Sequence, residues 1–528
     1  MLALEVVVLV GTGILLASAF SARFRVAPPV VLLVLGVLLG LIPQVGSVLL
    51  PPDLVLLILL PILLYWESLT TSLREIRRNI TSIAVLSTGL VVATAAGTAA
   101  TAHALGMPWG AAWVLGAAVA PTDATAIAAL SRMLPERQVT VLRAESLIND
   151  GTALVIFGVA VGVTVGEQSV SAAGLTGLVL LAYGGGAAVG GVVALVNIEL
   201  RRRLSDPLAG NLVMILAPFV AFLLAEYLHA SGVVAVVVSG LIMSQAAPRV
   251  IRAEHRTQAL AFWPLLTFLI NGSLFLFVGL ELQQIARSLT AVQLMGALVL
   301  VGAVSAVVIA TRFAFLFAWS GLAVLVSRSR GSGSTVDAPR AQAVSSLAGF
   351  RGAVSLAVAL SVPEVVASGD PFPARSLIIV VTAGVVLVTL VGQALVLPLA
   401  VRGIRRPASS RVDEEASEAS IVAFEAALDA VPALAARSGT SPKVTAWVTE
   451  AYETFAGTAR ADRGGGGDTG AARDRAEYVE LSLALIAHRR ETVIRLRNEN
   501  AIDDTVLRRL QAALDREELS LSSPEPLE

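Results

Sequence analysis

"LMGALVLVGAVSAVVIA", residues 294–310, runs from Leu294 to Ala310 without one charged side chain. With its apolar flanks it is long enough, as a helix, to cross the roughly 30 Å hydrocarbon core of a bilayer. "LVLLILLPILLYW" (54–66) and "LVVATAAGTAATA" (90–102) repeat the pattern. Hydrophobic residues make up 56% of the 528-residue chain and charged ones 15%, well on the membrane side of ordinary soluble composition. These runs are too long for the short alternating segments of a transmembrane barrel, so the chain reads as an all-α polytopic membrane protein.

Apolar runs and polar breaks predict about thirteen spans of about 20 residues. They lie near 2–20, 27–42, 53–66, 80–105, 110–130, 140–165, 172–199, 210–228, 231–246, 258–282, 290–318, 342–362 and 375–401. Basic residues check the count independently. Every second loop carries them: Arg23 and Arg25; Arg74, Arg77 and Arg78; Arg132 and Arg137; Arg201 to Arg203; Arg249, Arg252 and Arg256; Arg328, Arg330 and Arg340; Arg402, Arg405 and Arg406. The other loops hold only Arg287 and Arg375. That alternation fits an odd number of spans, with the N-terminus outside and the C-terminus in the cytosol of a multi-pass cytoplasmic-membrane protein. The N-terminal run contains Glu5 and no basic n-region, so it reads as a first span and not as a signal peptide.

The character changes after residue 406. "RVDEEASEAS" opens a polar segment, "RGGGGDTG" is a flexible linker, and "AEYVELSLALIAHRRETVIRLRNEN" has amphipathic helical spacing. The chain therefore divides into a transmembrane domain, 1–406, and a helical cytosolic tail, 407–528, whose last helix has Asp503 and Asp504 as capping residues.

Without cysteine there is no disulfide, thiolate metal site or cysteine nucleophile. His103, His229, His255 and His488 are too scattered for a zinc or haem site. The chemistry lies in ionisable residues that interrupt the spans, where each costs about 2.5–3.5 kcal/mol to insert and usually lines a pathway or pairs. Glu67 ends the third span ("LLYWESL"). Asp123 interrupts the fifth ("GAAVAPTDATAIAAL"), the sixth opens with "ESLINDGTAL" (145–154), and Arg351 sits in the twelfth ("SSLAGFRGAVSLAVAL"). Interfacial placement explains Glu67 taken alone, and Glu226 and Glu281 near span ends. Arg312, late in the eleventh span, is expected to snorkel to the cytoplasmic surface. Asp123, Asp150 and Arg351 resist that reading, having apolar sequence on both sides.

Backbone punctuation marks the same places. Pro121 precedes Thr122 and Asp123, and Gly349 and Gly352 bracket Arg351. Interrupted spans five and twelve, seven apart, suggest two inverted six-helix repeats with a transporter site near the bilayer midplane. On a helix Ser146 and Asp150 share one stripe, Glu145 and Asn149 the next. The first offers hard oxygen ligands for a small monovalent cation. The second offers a carboxylate and an amide for an arginine fork, with Arg351 the expected partner. That pairing would neutralise Glu145 and leave Asp150 uncommitted, able to hold a proton or a metal cation but not both.

These residues resemble the type-1 cation/proton antiporter family, NhaP-like bacterial exchangers related to sodium/hydrogen exchangers. The likeness spans about residues 1–405 and rests on "LREIRRN" after span three, "APTDATA", "ESLINDGTAL", "FVGLEL" and "FRGAVSLAVAL". It implies crossed, unwound helices five and twelve, a homodimer in lipid, and sodium/proton exchange with lithium or potassium as alternative cargo. It also implies a site in which Asp150 takes cation and proton. Thr122, Asp123 and Ser146 complete the sodium shell, Glu67 acts through water, and Glu145 and Asn149 hold Arg351. Asn149, where some relatives carry a second aspartate, implies electroneutral exchange. Ala124 departs from the proline common at that position. No resident cofactor, nucleic-acid partner or enzymatic activity is implied. A cation channel and an intramembrane carboxylate enzyme are the competing readings. An organic-substrate carrier is disfavoured by the lack of an aromatic recognition shell.

Overall fold

Proline, glycine and capping carboxylates decide where the apolar runs become separate helices. The computed structural model describes residues 2–24, 26–42, 55–71, 76, 85–123, 136–166, 177–204, 206–250, 253–288, 290–329, 346–347, 349, 351–401, 411–463, 469–499, 510–511 and 513–518. The chain forms two compact units, 1–406 and 407–528.

The first unit opens with α1 (Leu2–Phe24) and α2 (Pro28–Leu39), the latter started by prolines whose missing N–H groups cost nothing there. α3 (Leu60–Thr70) and α4 (Leu90–Ala104) are entered through widened π turns at Val55–Leu59 and Val85–Gly89. α5 (Trp109–Val119) ends at Ala120, still helical in its own backbone, just before Pro121, which has no N–H to continue the helical bonding. α6 (Glu136–Val165) carries the span-six motif, and α7 (Gly186–Arg203) follows a third π turn, Leu181–Gly185. Asp206 caps α8 (Pro207–Tyr227) by accepting from the amides of Leu208 and Ala209. Then come α9 (Gly232–Val250), α10 (Ala253–Ser288), α11 (Ala291–Ser329), α12 (Ala353–Leu360) and α13 (Arg375–Val401).

Among the described residues seven helices are long and apolar enough to cross a membrane, and four shorter apolar ones accompany them. The described residues contain no strand, only an isolated bridge between Val365 and Pro371. Expected spans five and twelve run into 124–135 and 330–345, outside the described residues. So do most of "LREIRRN", Arg132, Arg330, Arg340, and Asp503 with Asp504.

The membrane unit packs as two helix groups. One joins α1, α2, α3, α7, α8, α9 and α10; the other joins α4, α5, α6, α11, α12 and α13. Packing between the groups is sparser and runs through α10 against α12 and α13, and through α6 against α3 and α9. Within the first group glycines let backbones touch: a Cβ on Gly279 of α10 would strike the Leu33 carbonyl and Gly36 of α2. In lipid, close small-residue contact supplies much of what holds helices together.

In the second unit α14 (Arg411–Ser438) packs on α15 (Pro442–Arg463), with Phe424 edge-on to Tyr452. α16 (Thr469–Asn498) holds the 513–518 segment through Arg489–Glu517 and Arg490–Asp515 and –Glu518 ion pairs.

Gly279→Val should therefore cost about 1–3 kcal/mol through overpacking, lowering the thermal midpoint in detergent. Gly296→Ala, where nothing lies within 4 Å of an added Cβ, should leave it unchanged or raise it. Equal midpoints for the two variants would contradict the α2–α10 packing described.

Candidate functional site

The end of α5 and the start of α12 meet. Past the end of α5, Thr122 and Asp123 lie in non-helical backbone, and Arg351 and Gly352 do the same before α12. Arg351, 1% exposed, donates from Nε to the Val119 carbonyl at 3.0 Å and from Nη1 to the Gly349 carbonyl. Its guanidinium thus answers carbonyls that the breaks leave without helical partners, one of them at the C-terminal end of α5 where a cation is also favoured. Asp123 closes the contact from the other side. A Cβ on Gly352 would overlap its carboxylate, so the acid lies directly against the residue that starts α12.

α6 grips this crossing through the predicted stripes. Ser146 Oγ donates to the Thr122 carbonyl. Asn149, with its amide turned so that both ends are satisfied, donates to the carbonyls of Glu145 (3.1 Å) and Ser87 (3.0 Å) and accepts from Thr122 Oγ1 (3.1 Å). Ser87 belongs to the π turn that enters α4, so one amide ties α6 to both α4 and the unwound segment. A widened turn exposes carbonyls to such donors.

The expected fork of Glu145 and Asn149 on Arg351 is not what forms. Glu145 pairs with Arg312 of α11 at 2.8 Å, with side chains 3% and 2% exposed. Arg312 does not snorkel: its stem lies against Gly349, where an added Cβ would strike it. The physical reason is that Arg351 is already committed to backbone carbonyls at the breaks. A second guanidinium on the neighbouring helix reaches the carboxylate instead. Arg351 still feels the charges of both members of that pair. Glu281, read as interfacial, faces Arg375 at 3.6 Å. Glu226 accepts from the Gly232 amide and so caps α9.

Asp150 is left. It is 1% exposed, and its Oδ1 has no hydrogen-bond partner among the described residues. Glu67 of α3 and Asp123 are the acids whose charges act on it. Two acidic neighbours around a buried carboxylate favour a cation or a proton at Asp150. Among the described residues no three acidic or imidazole groups form a ready-made metal cage. A small cation here would therefore need the Thr122 carbonyl and the Ser146 hydroxyl beside carboxylate oxygens. The pairing of Arg312 with Glu145, the Ser87 carbonyl and the Tyr183–Thr152 hydrogen bond (3.0 Å) escaped the sequence reading. Only Arg312 left a signal, being apolar-flanked in "VVIATRFAFLF".

Comparison with known proteins follows the same line. The profile described as sodium/hydrogen exchanger, transmembrane, matches residues 10–403. An uncharacterised Na+/H+ exchanger of Mycobacterium tuberculosis (strain ATCC 25618 / H37Rv) is 46% identical over 527 residues, covering 99% of this chain and 96% of that one. A sodium, potassium, lithium and rubidium/H+ antiporter of Bacillus subtilis (strain 168) is 30% identical over 409 residues, 74% of this chain and 61% of its own. The solved structure of the sodium proton antiporter MjNhaP1 from Methanocaldococcus jannaschii at pH 8 superposes with TM-score 0.60 at 18% identity, over 76% of this chain and 99% of that one. That last likeness is one of fold.

Breaking a buried ion pair by removing one partner costs about 3–5 kcal/mol, because the other charge is left unanswered. Arg312→Gln should accordingly lower the thermal midpoint sharply, and adding Glu145→Gln to it should restore much of the loss. A double variant as unstable as the single would count against the pair.

Proposed function

Because the chain belongs to the sodium/hydrogen exchanger family, we propose that it exchanges sodium for protons across the cytoplasmic membrane as a secondary active antiporter. The observation that carries this reading is Asp150, buried, with one carboxylate oxygen uncommitted while its neighbours are engaged. Glu145 is cancelled by Arg312, Arg351 serves carbonyls, Asn149 and Ser146 hold Thr122, and Asp123 lies against Gly352.

In this mechanism Asp150 binds either a proton or one alkali cation. Thr122 and Ser146 give oxygen ligands, Asp123 lends charge and oxygen, and Glu67 acts through water. Competition for one seat couples two fluxes when the carrier reorients only with the seat filled. Stoichiometry follows from charge. Asn149 is neutral and the Glu145–Arg312 pair sums to zero, so one cation replaces one proton at a single titrating carboxylate, which is electroneutral exchange. Thirteen spans in two inverted repeats, an outside N-terminus, a cytosolic tail and a homodimer in lipid complete the proposal. The chain acts as a carrier and not as an enzyme or channel, and it needs no resident cofactor.

Everted vesicles holding an acid interior should lose their gradient when sodium is added, and Asp150→Asn should abolish that response. The named range of the Bacillus subtilis relative sets the ion series: lithium, potassium and rubidium beside sodium. Full dissipation by the Asp150→Asn variant would overturn the assignment. A sodium-driven membrane potential in proteoliposomes, read with a voltage-sensitive dye, would overturn electroneutrality.

A further inference from the structure

Among the described residues, two side-chain contacts that the exchange chemistry does not use cross the seam between the two helix groups. Near the segment linking α12 to α13, Arg375 Nη1 lies 3.6 Å from Glu281 Oε1 of α10, with side chains 20% and 14% exposed. Elsewhere along the seam, Tyr183 of the turn before α7 donates to Thr152 Oγ1 of α6 at 3.0 Å, one helical turn from Ile148, whose carbonyl Thr152 also holds. Glu281 and Tyr183 belong to the first group of helices, Arg375 and Thr152 to the second.

Each half of the ion pair is fixed to its own side. Arg375 Nε donates to the Val362 carbonyl at 3.0 Å. The segment between them is a small hairpin, closed by Phe372 N to Glu364 O and Val366 N to Asp370 O, and tied to the end of α6 by Ala367 N to Val165 O. On the other side α10 is anchored to α2. Gly279 packs on Gly36, Gln283 lies against Gly40, and Arg287 donates to the carbonyls of Gly40 and Leu41. Relative movement of the two halves therefore needs the groups themselves to part, because neither side chain hangs from a loose loop.

Asp150 gives a reason for them to part. Its helix belongs to the second group, Glu67 faces it from α3 of the first, and it is buried. A site inside the seam reaches water on a given side only when the seam opens there. We propose that Glu281 and Arg375 form a latch across this seam, closed in this structure and broken when the hairpin side opens to expose the Asp150 site, with Tyr183–Thr152 as a second tie. The latch rests on the exchange reading above. A partly wet ion pair suits the task, since it biases a two-state equilibrium several-fold without locking it. A dry pair such as Glu145–Arg312 would hold too firmly to open each cycle.

The chain has no cysteine of its own, so thiols can be placed singly. With Glu281→Cys and Arg375→Cys joined by a short bis-methanethiosulfonate reagent, exchange in proteoliposomes should fall at least about tenfold and return on reduction, because a trapped state cannot cycle. Linked protein that exchanges at the unlinked rate overturns the latch. If wild type and the unlinked pair move no sodium against protons, the exchange reading fails, and the latch is judged by a second readout. Ser361→Cys, buried at the end of α12, the helix that packs on α10, should react about fivefold faster with an impermeant maleimide when Glu281→Gln is added, whatever ion is carried. The swap Glu281→Arg with Arg375→Glu should bring that rate back. An unchanged rate in Glu281→Gln, or a swap no slower than the single variant, overturns the proposal.

Discussion

A charge carried into the middle of a bilayer must be answered there, and the membrane unit is organised around how each one is. Glu145 is answered by Arg312 at 2.8 Å. Arg351 is answered by the Val119 and Gly349 carbonyls that two helix breaks leave open. Asp123 sits against the start of α12. These groups are engaged locally, and the remaining buried acid, Asp150, is the one whose partner can come from outside. The same insertion cost that makes such residues rare makes the unanswered one chemically available.

The breaks follow from the same constraint. A continuous helix would hide its carbonyls and amides; α5 ends before Pro121 and α12 begins after Gly352. They do so where Arg351 and Asp123 can serve the freed ends. Glycine is required at 352 by space, because any side chain there would meet the Asp123 carboxylate. α6 then fastens the crossing with a serine and an asparagine, so that Thr122 is held at both its carbonyl and its hydroxyl. Small-residue contacts such as Gly36 on Gly279 hold the first helix group together beside it, and packing between the two groups is sparser.

Much of this is legible in the sequence itself. Long uncharged runs and alternating arginines identify a polytopic helical chain, because insertion into lipid penalises any other pattern. Asp123, Asp150 and Arg351 stand out because each breaks a run that lipid would keep apolar, and Pro121 because it ends a helix there. Which arginine meets which acid was not legible. Periodicity places Glu145 and Asn149 on one stripe of α6, but the partner depends on how α11 and α12 approach in three dimensions, and two guanidiniums were within the same neighbourhood. Arg312 was set aside for lying late in its span, although its burial shows that position along a helix does not fix depth when the helix runs beyond the membrane. Asn149 likewise looked like an arginine ligand, when its amide was needed by Ser87 on a helix far away in sequence.

One seat for one occupant has a kinetic signature that no structural role would imitate. In proteoliposomes with pH controlled on both sides, the KM for sodium at the binding side should rise about tenfold for each unit of acidification below the pH at which Asp150 loses its proton, with the maximal rate unchanged. A sodium KM that stays constant across that range while only the maximal rate falls would mean that proton and cation occupy separate sites, and would contradict the account.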